Sequence, residues 1–594
     1  MREISVPIRV ESEPRTNLTD LVVGNAADAP DAALFARKEG DGGWRDVTAR
    51  EFLAEVTALA KGLVAAGVQP GDRVGLMSRT RYEWTLVDFA IWFAGGVTVP
   101  VYETSSAEQV RWILSDSGAV GVFVESEALA ATVGTVRDQI PGLRDVWVID
   151  ADAVGSLGAQ AADVADDEIE RRRTSLSGDS IATIIYTSGT TGRPKGCELT
   201  HDNFLSSARN SVRMFDTLVA PGKSTLLFLP LAHVFARYVE VLCLAGRAKL
   251  AHSSPASLLE DLSSFRPTFL LAVPRVFEKI YNSAEARAES GGRGEIFRRA
   301  ARVAVAYSQA QDRGGPGLAL RAQHVAFDRL VYGKLRALTG GRLEAAVSGG
   351  APLGERLGHF YRGVGFMILE GWGLTESTAP ATVNLLSRQQ IGTVGRPLPG
   401  VTIKVADDGE LLVKGICVMR GYYNNPQATA DALHDGWFST GDLGEIDDEG
   451  YVRITGRKKE IIITAGGKNV VPAVLEDRLR AHPLISQCMV VGDQRPFIAA
   501  LITLDAEMLP TWLANKGKPA MDVATAAADP DVRAELQKAV DDANTLVSKA
   551  ESIRKFTVLD VDFTEEEGHL TPKQSLRRHI VAKQFEEQIE QIYR

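Results

Sequence analysis

The sequence is poor in cysteine: Cys197, Cys243, Cys417 and Cys488 are the four in 594 residues, far apart and without C-x-x-C spacing. That excludes a disulfide framework and a cysteine zinc site, and it fits a reducing compartment. Positive charge is also in deficit, with 66 Lys+Arg against 76 Asp+Glu and a formal net charge of -10. A chain of that balance repels phosphate backbones unless its cations cluster locally, so no nucleic-acid partner is expected. Long apolar runs are missing as well. The most apolar stretch, 89–102, is broken by Gly95, Gly96 and Pro100 and falls short of the ~20 residues needed to span a bilayer. It reads as a helix end followed by a core strand, leaving at most peripheral membrane contact. Residues 1–14 mix Arg2, Glu3, Arg9, Glu11 and Glu13 with single apolar residues and show no apolar export segment. A cytoplasmic protein is expected, at most peripheral at the inner face of the membrane.

What is present excludes disorder: 45% hydrophobic and 24% charged residues are the balance of a folded chain. At roughly 150 residues per domain the length corresponds to about four domain-sized units. From Thr48 onward amphipathic helices alternate with short apolar runs. Residues 50–66 put Phe52, Val56, Leu59, Ala60, Leu63 and Val64 on one helical face, then Gly67, a Pro70-Gly71-Asp72 turn and the strand 74–77 follow. Similar runs at 99–102, 120–124 and 146–149 predict α/β layers around a largely parallel, buried sheet. Residues 151–173, rich in Ala, Gly and charge, read as a surface connection. Past Gly456 the pattern becomes α+β, with strand 460–464, helix 471–481 and strands 486–491 and 497–503. The expected division is therefore 1–456 and 457–594, with no internal repeat.

The most informative junction is the β-branched run 181–186, which feeds into Tyr186-Thr187-Ser188-Gly189-Thr190-Thr191-Gly192-Arg193-Pro194-Lys195-Gly196. Glycines let backbone N–H groups turn toward an anion, hydroxyls donate to phosphate oxygens, and Lys195 adds a mobile positive charge. The spacing is not that of the P-loop NTPases, since Lys195 stands between Pro194 and Gly196. A solvent-exposed turn is the alternative reading.

This stretch resembles the signature of the adenylate-forming superfamily, and four further blocks stand in that family's order. They are Ser348-Gly349-Gly350-Ala351-Pro352, Gly371-Trp372-Gly373-Leu374-Thr375-Glu376, Ser439-Thr440-Gly441-Asp442, and Gly456-Arg457-Lys458-Lys459-Glu460 with Gly466-Gly467-Lys468-Asn469. Pro100-Val101-Tyr102 with Thr104-Ser105-Ser106, Leu229-Pro230-Leu231-Ala232-His233 and Val273-Pro274-Arg275-Val276-Phe277-Glu278 look like the long-chain fatty acyl-CoA synthetase branch. The resemblance implies an α/β fold with a large N-terminal domain of layered sheets and a small mobile C-terminal domain. It also implies ATP, Mg2+ and CoA as co-substrate, and a long-chain fatty acid to be activated; a homodimer is compatible with it.

By the same resemblance, Thr187, Ser188, Gly189, Thr190, Thr191, Gly192, Lys195, Gly349, Gly350, Ala351, Trp372, Gly373, Asp442 and Arg457 would bind the nucleotide. Each role suits its side chain: an ionised Asp442 offers two acceptor oxygens to ribose hydroxyls, and Trp372 offers a flat face to adenine. Glu376 would hold Mg2+, Thr375 would donate to the α-phosphate and Arg457 would bridge ribose or phosphate. Lys459 would be the hinge, and His233, Val273, Arg275 and Gly467 would line the acyl and CoA paths. A turn cap for Asp442, a core tryptophan and a core histidine are the structural alternatives. Cations are needed here because two unit charges at ~4 Å and an effective dielectric of ~20 repel by ~4 kcal/mol.

One position departs from the family pattern. Where a C-terminal lysine is expected to reach the carboxylate and α-phosphate, the third residue after Pro572 is Ser575, and the nearby cations are Lys573, Arg577 and Arg578. Either Lys573 reaches in through a shifted loop, or an arginine substitutes, or the first half-reaction is impaired; Lys573 is the candidate named for the role. The reaction expected is AMP-forming ligation of a long-chain fatty acid to CoA. The alternatives are a fatty acyl-AMP ligase feeding a carrier protein and a ligand-binding pseudoenzyme.

Overall fold

The helix Tyr82–Phe93 is the least amphipathic of the long elements: every residue but Glu83 is buried. A helix apolar on all sides has no solvent face. It lies between two sheets, as does the helix Val234–Gly246, whose Arg237 pairs with Asp88 across the gap at 2.7 Å. The computed structural model describes residues 1–40, 42–161, 163–187, 193–571 and 575–594.

One flanking sheet has seven strands, in the order Gly421–Tyr422, Lys195–Thr200, Ile181–Thr187, Val97–Val101, Arg73–Met77, Ala119–Val124 and Asp145–Val148. Its centre is parallel, and Val97–Val101 is buried at every position. The other has nine, running Arg396–Pro397, Ala379–Val383, Met367–Leu374, Ala345–Ser348, Phe269–Ala272, Ser224–Leu227, Lys249–His252, Ala33–Lys38 and Trp44–Thr48. A third, six-stranded antiparallel sheet closes the large region. It ends in the hairpin Trp437–Ile446 and Val452–Arg457. The α/β layering expected from the alternating pattern is thus observed. The helix expected over 50–66 runs Ala49–Ala65, capped by a reciprocal Thr48–Glu51 box.

Residues 151–173 differ from the expectation of a surface connection. They form helices Ala153–Ala159 and Asp166–Ser175, and Arg172 and Arg173 are buried. Arg172 donates to Val68 O (2.7 Å) and Ala94 O (3.2 Å), carbonyls at or just past the ends of two neighbouring helices. Arg173 pairs with Asp20 at 2.9 Å. Guanidinium groups satisfying helix-end carbonyls make a polar segment structural, and composition alone does not show it.

Beyond Arg457 a separate apolar cluster begins at Ile462 and includes Leu475, Val490, Ile502 and Val540. It covers one face of a three-stranded sheet, Ile485–Val491, Ile498–Leu504 and Ile553–Val558. The terminal helices Arg578–Gln584 and Glu586–Tyr593 cover the other face through Val581, Phe585 and Ile592. The expected helix 471–481 appears as Pro472–Arg480, and the expected strand 460–464 shrinks to Ile462–Ile463. This smaller lobe docks on the helix Pro274–Ser290 through Arg275–Asp505 (2.8 Å) and Lys279–Glu507 (2.5 Å).

Candidate active site

The phosphate-type loop is the tip of a hairpin. Strand Ile181–Thr187 pairs antiparallel with Lys195–Thr200, Thr187 opposite Lys195, so the glycine- and hydroxyl-rich residues fall between two anchored ends. Ser188, Gly189, Thr190, Thr191 and Gly192 lie outside the described residues. Just past them Arg193 stacks on Trp112, whose indole N–H donates to Pro194 O at 2.9 Å.

Lys195 is exposed, with its ammonium 5.1 Å from the ring centroid of Tyr422. The Tyr422 hydroxyl donates to Glu376 Oε1 at 2.9 Å. A cation from one sheet and a half-buried carboxylate from the other are thus joined through one phenol. Burial, and then the Glu376 carboxylate, push the Tyr422 hydroxyl well above its ordinary value, which keeps it a donor. Glu376 is also fixed through its backbone, its carbonyl accepting from Met419 N at 2.8 Å. Tyr422 did not stand out in the sequence. Its strand Gly421–Tyr422 pairs with Glu198 and Cys197, far back in the chain, and a Gly-Tyr-Tyr triplet announces nothing of that.

The second half of the site sits on the nine-stranded sheet. Ser348 pairs with Glu370 in parallel register, so the 349–351 turn and the 371–376 segment leave the same sheet edge. Gly350 takes φ +84°, and its near neighbour is Val273, 3.9 Å from where a Cβ would stand. Glu370 accepts from Leu353 N at 3.0 Å, and burial pushes its carboxyl up to about 7. Ser348 Oγ is buried without a hydrogen-bond partner among the described residues. Gly373 is required by the fold itself: a Cβ there would come 1.8 Å from Ala379 O, inside the bulged hairpin.

Trp372 is buried, and its indole N–H donates to Asp442 Oδ2 at 2.7 Å. Asp442 Oδ1 takes Arg457 Nε at 3.1 Å, a cross-strand pair set by the hairpin register. Asp442 is 4% exposed but the Arg457 side chain 53%, so the guanidinium reaches from a buried carboxylate into solvent. Thr375 is buried at the turn that presents Glu376. Ala351 is exposed beside Gly350.

His233 caps the helix Val234–Gly246, Nδ1 accepting from Phe235 N at 3.1 Å. The Phe235 ring lies 3.3 Å from where a Cβ on Gly349 would stand, so this helix N-terminus abuts the glycine turn. Val273 precedes the helix Pro274–Ser290. Arg275, two residues on, pairs with Asp505 of the small lobe at 2.8 Å and with Glu278 of its own helix at 3.7 Å. Lys458 is held by Asp408 (2.5 Å) and Glu410 (3.1 Å), and Lys459 next to it is exposed with no ion pair among the described residues. Gly467, φ +77°, lies in a turn of the small lobe, and no hydrogen bond or ion pair among the described residues ties 466–469 to the large region. Lys573 lies outside the described residues. Thr571 N donates to Ser575 O at 2.8 Å, and Ser575 N to Thr571 Oγ1 at 3.1 Å. Arg578 is turned inward, bonded to Glu476 and to Val490 O (3.1 Å).

Two layered sheets with buried helices between them, a lysine and a carboxylate joined through Tyr422, and a tryptophan–aspartate contact at the second sheet's edge accompany the adenylate-forming enzyme fold. The chain belongs to the AMP-binding enzyme family: that family's model matches residues 23–423, and the AMP-binding enzyme C-terminal domain matches 459–594. Long-chain-fatty-acid–CoA ligase FadD15 of Mycobacterium tuberculosis is 51% identical over 598 aligned positions, covering 100% of both chains. Long-chain-fatty-acid–CoA ligase ACSBG2 of Xenopus laevis is 28% identical, covering 100% of this chain and 86% of its own. The fold matches the adenylation domain of a carboxylate reductase from Mycobacterium chelonae, with TM-score 0.76 and 23% identity over 98% of this chain and 92% of that one. It also matches Bacillus subtilis O-succinylbenzoate coenzyme A synthetase in complex with ATP and magnesium ion, with TM-score 0.67 and 21% identity over 96% and 99%.

Proposed function

We propose that this protein is an AMP-forming long-chain fatty acid–CoA ligase. The fatty carboxylate attacks the α-phosphate of ATP to give acyl-AMP and pyrophosphate; CoA thiolate then attacks the acyl carbon, forming the thioester and releasing AMP. The observation that carries the first step is the Lys195–Tyr422–Glu376 arrangement, a cation and a carboxylate joined beside an anion loop. The donor set fits Mg2+: Glu376 supplies one carboxylate, and no group of three or more His, Cys, Asp or Glu among the described residues could make an all-protein cage. Mg2+ is usually held by one or two carboxylates plus substrate phosphates, and it neutralises phosphate charge. Asp442 and Trp372 hold the nucleoside end, and Arg457 adds positive charge at the ribose or phosphate. The acyl chain follows the path beside His233, Phe235 and Val273, where each buried CH2 contributes ~0.8 kcal/mol and favours long chains. The length preference is supported by the name of the 51%-identical relative. The domain boundary falls at 457, with Lys459 as hinge beyond the anchored Lys458.

The test is AMP release over fatty acids of increasing length, with and without CoA. A maximum among long chains that requires CoA is expected. Best activity on acetate or an aromatic acid overturns the substrate, and AMP retained until a carrier protein is added favours the acyl-AMP ligase. Ser575 favours a second reading, a pseudoenzyme, which tight acyl-AMP binding without turnover would support.

A further inference from the structure

The outer helical layer over the nine-stranded sheet contains an element turned the wrong way for a soluble surface. In the helix Leu318–Phe327 no residue is buried. Leu318 is 84% and Val325 57% exposed, and Leu330 just beyond is 58% exposed. Leu318, Ala322 and Val325 follow the i, i+4, i+7 spacing of one helical stripe. The opposite side is pinned: the His324 ring bonds Gly363 O at 2.6 Å and stacks on Tyr307, and the Tyr332 hydroxyl donates to Ala300 O at 2.7 Å. The stripe is therefore held outward by a rigid attachment.

Charge singles out the same place. Between 313 and 342 stand Arg313, Arg321, Arg329, Lys334, Arg336 and Arg342 against Asp328 alone, in a chain of net charge -10. Arg336 pairs with Asp328 at 2.8 Å, and the other five cations have no ion pair among the described residues. An apolar stripe on a segment whose Arg321 and Arg329 have no carboxylate partner among the described residues, Arg321 bonding only Pro316 O at 2.8 Å, fits an anionic lipid surface: apolar side chains enter the acyl boundary while the cations meet headgroup phosphates. A second copy does not fit, since a two-fold contact sets this patch against itself and brings like charges together. No helix among the described residues is long and apolar enough to cross a membrane, so the contact is lateral.

We propose that the 318–330 surface docks the enzyme on anionic bilayers. Its use, collecting long-chain acids dissolved in the bilayer, rests on the long-chain reading above; the binding itself does not. The helix Gly294–Gln311 packs against both this helix and Pro274–Ser290, which Val273 precedes beside Gly350. The lipid-facing helix is thus two helices from the site.

The experiment is co-sedimentation of the full chain with vesicles of phosphatidylcholine alone or mixed with phosphatidylglycerol, for native protein and for Leu318→Glu/Leu330→Glu and Arg321→Glu/Arg329→Glu. Native protein is expected to bind the mixed vesicles and not the neutral ones, less so as salt rises, with each double variant about tenfold weaker. Activity on fatty acid supplied as monomer should be unchanged in the variants, which also shows that they fold. Activity on vesicle-borne palmitate should fall. Equal binding by the variants, or no binding by native protein, overturns the proposal; so does a change of oligomeric state in the variants with vesicle binding unaltered. If no acid is turned over but vesicle binding follows the expected pattern, the ligase reading fails and the docking surface stands.

Discussion

Tyr422 ties together a cation and a carboxylate that, in the proposed reaction, would face one polyphosphate. A hydrogen bond to a charged group contributes ~1.5–3 kcal/mol. Tyr422→Phe keeps the ring under Lys195 and removes the donor to Glu376, so ATP–pyrophosphate exchange is expected to fall about tenfold or more. Conversion of preformed acyl-AMP should change little, and unaltered exchange would refute the role. A different residue sets the pH response of stability. Glu240 is buried between the sheets, with both carboxylate oxygens unpartnered among the described residues. Burial, and then Asp88, push its carboxyl up to about 8. A folded-state value above the unfolded one means that its contribution is full below the ordinary value of 4.5 and is lost as pH rises toward 8. Glu240→Gln is uncharged at every pH. Its urea midpoint should gain on the native protein between about pH 5 and 8, whatever its starting offset. His201 and His252 act at the other end: burial lowers both to about 3, so stability is lost as pH falls below about 6.5.

At the scale of elements, the helix Pro274–Ser290 serves two lobes. Pro274 stands at its first position, where a missing N–H costs nothing. The outward partner of this helix was not legible in the sequence, because Asp505 and Glu507 lie some two hundred residues on, and a carboxylate in a turn carries no address. The family resemblance puts Arg275 by the acyl path; its guanidinium also meets the small lobe, at Asp505. Exposed ion pairs contribute ~0–1 kcal/mol, and Arg275–Asp505 is partly shielded, with Asp505 17% exposed. Arg275→Asp and Asp505→Arg are each expected to slow pyrophosphate exchange about two- to fivefold, more at low salt. The double exchange should restore most of the loss. Two slow singles with no rescue would mean that Arg275 acts at the acyl path after all.

Across the whole molecule, what could be read early was local. Glycine turns and the motif blocks each declare themselves within a dozen residues, and with them the layered fold. Tyr422, buried Arg172 and the docked lobe depend on residues brought together by folding, and no spacing encodes them. With a net charge of -10, the ATP and CoA of the proposed reaction would have to be held by locally placed donors, so Ser575 in place of the expected lysine bears on the molecule as a whole. The Thr104 hydroxyl donates to Glu565 of the small lobe, at the end of the strand Val97–Val101, which pairs with the strand leading into the anion loop. The small-lobe segment carrying Lys573, Arg577 and Arg578 follows Glu565 closely. Arg578 is committed to buried Glu476, and Arg578→Ala should cost stability by leaving that carboxylate unpaired. Arg577 is held at the start of the last helices, its N–H bonded to His569 O at 2.7 Å. That bond engages the Arg577 backbone and leaves its guanidinium uncommitted among the described residues, so Lys573 and Arg577 are the two cations of this segment to be tested for reaching the α-phosphate. Lys573→Ala is expected to lower pyrophosphate exchange about a hundredfold, the size of a removed transition-state contact, and to spare acyl transfer from preformed acyl-AMP to CoA. Arg577→Ala should leave both steps near native. The reverse pattern moves the role to Arg577, and unchanged exchange in both variants places the adenylation cation outside this segment.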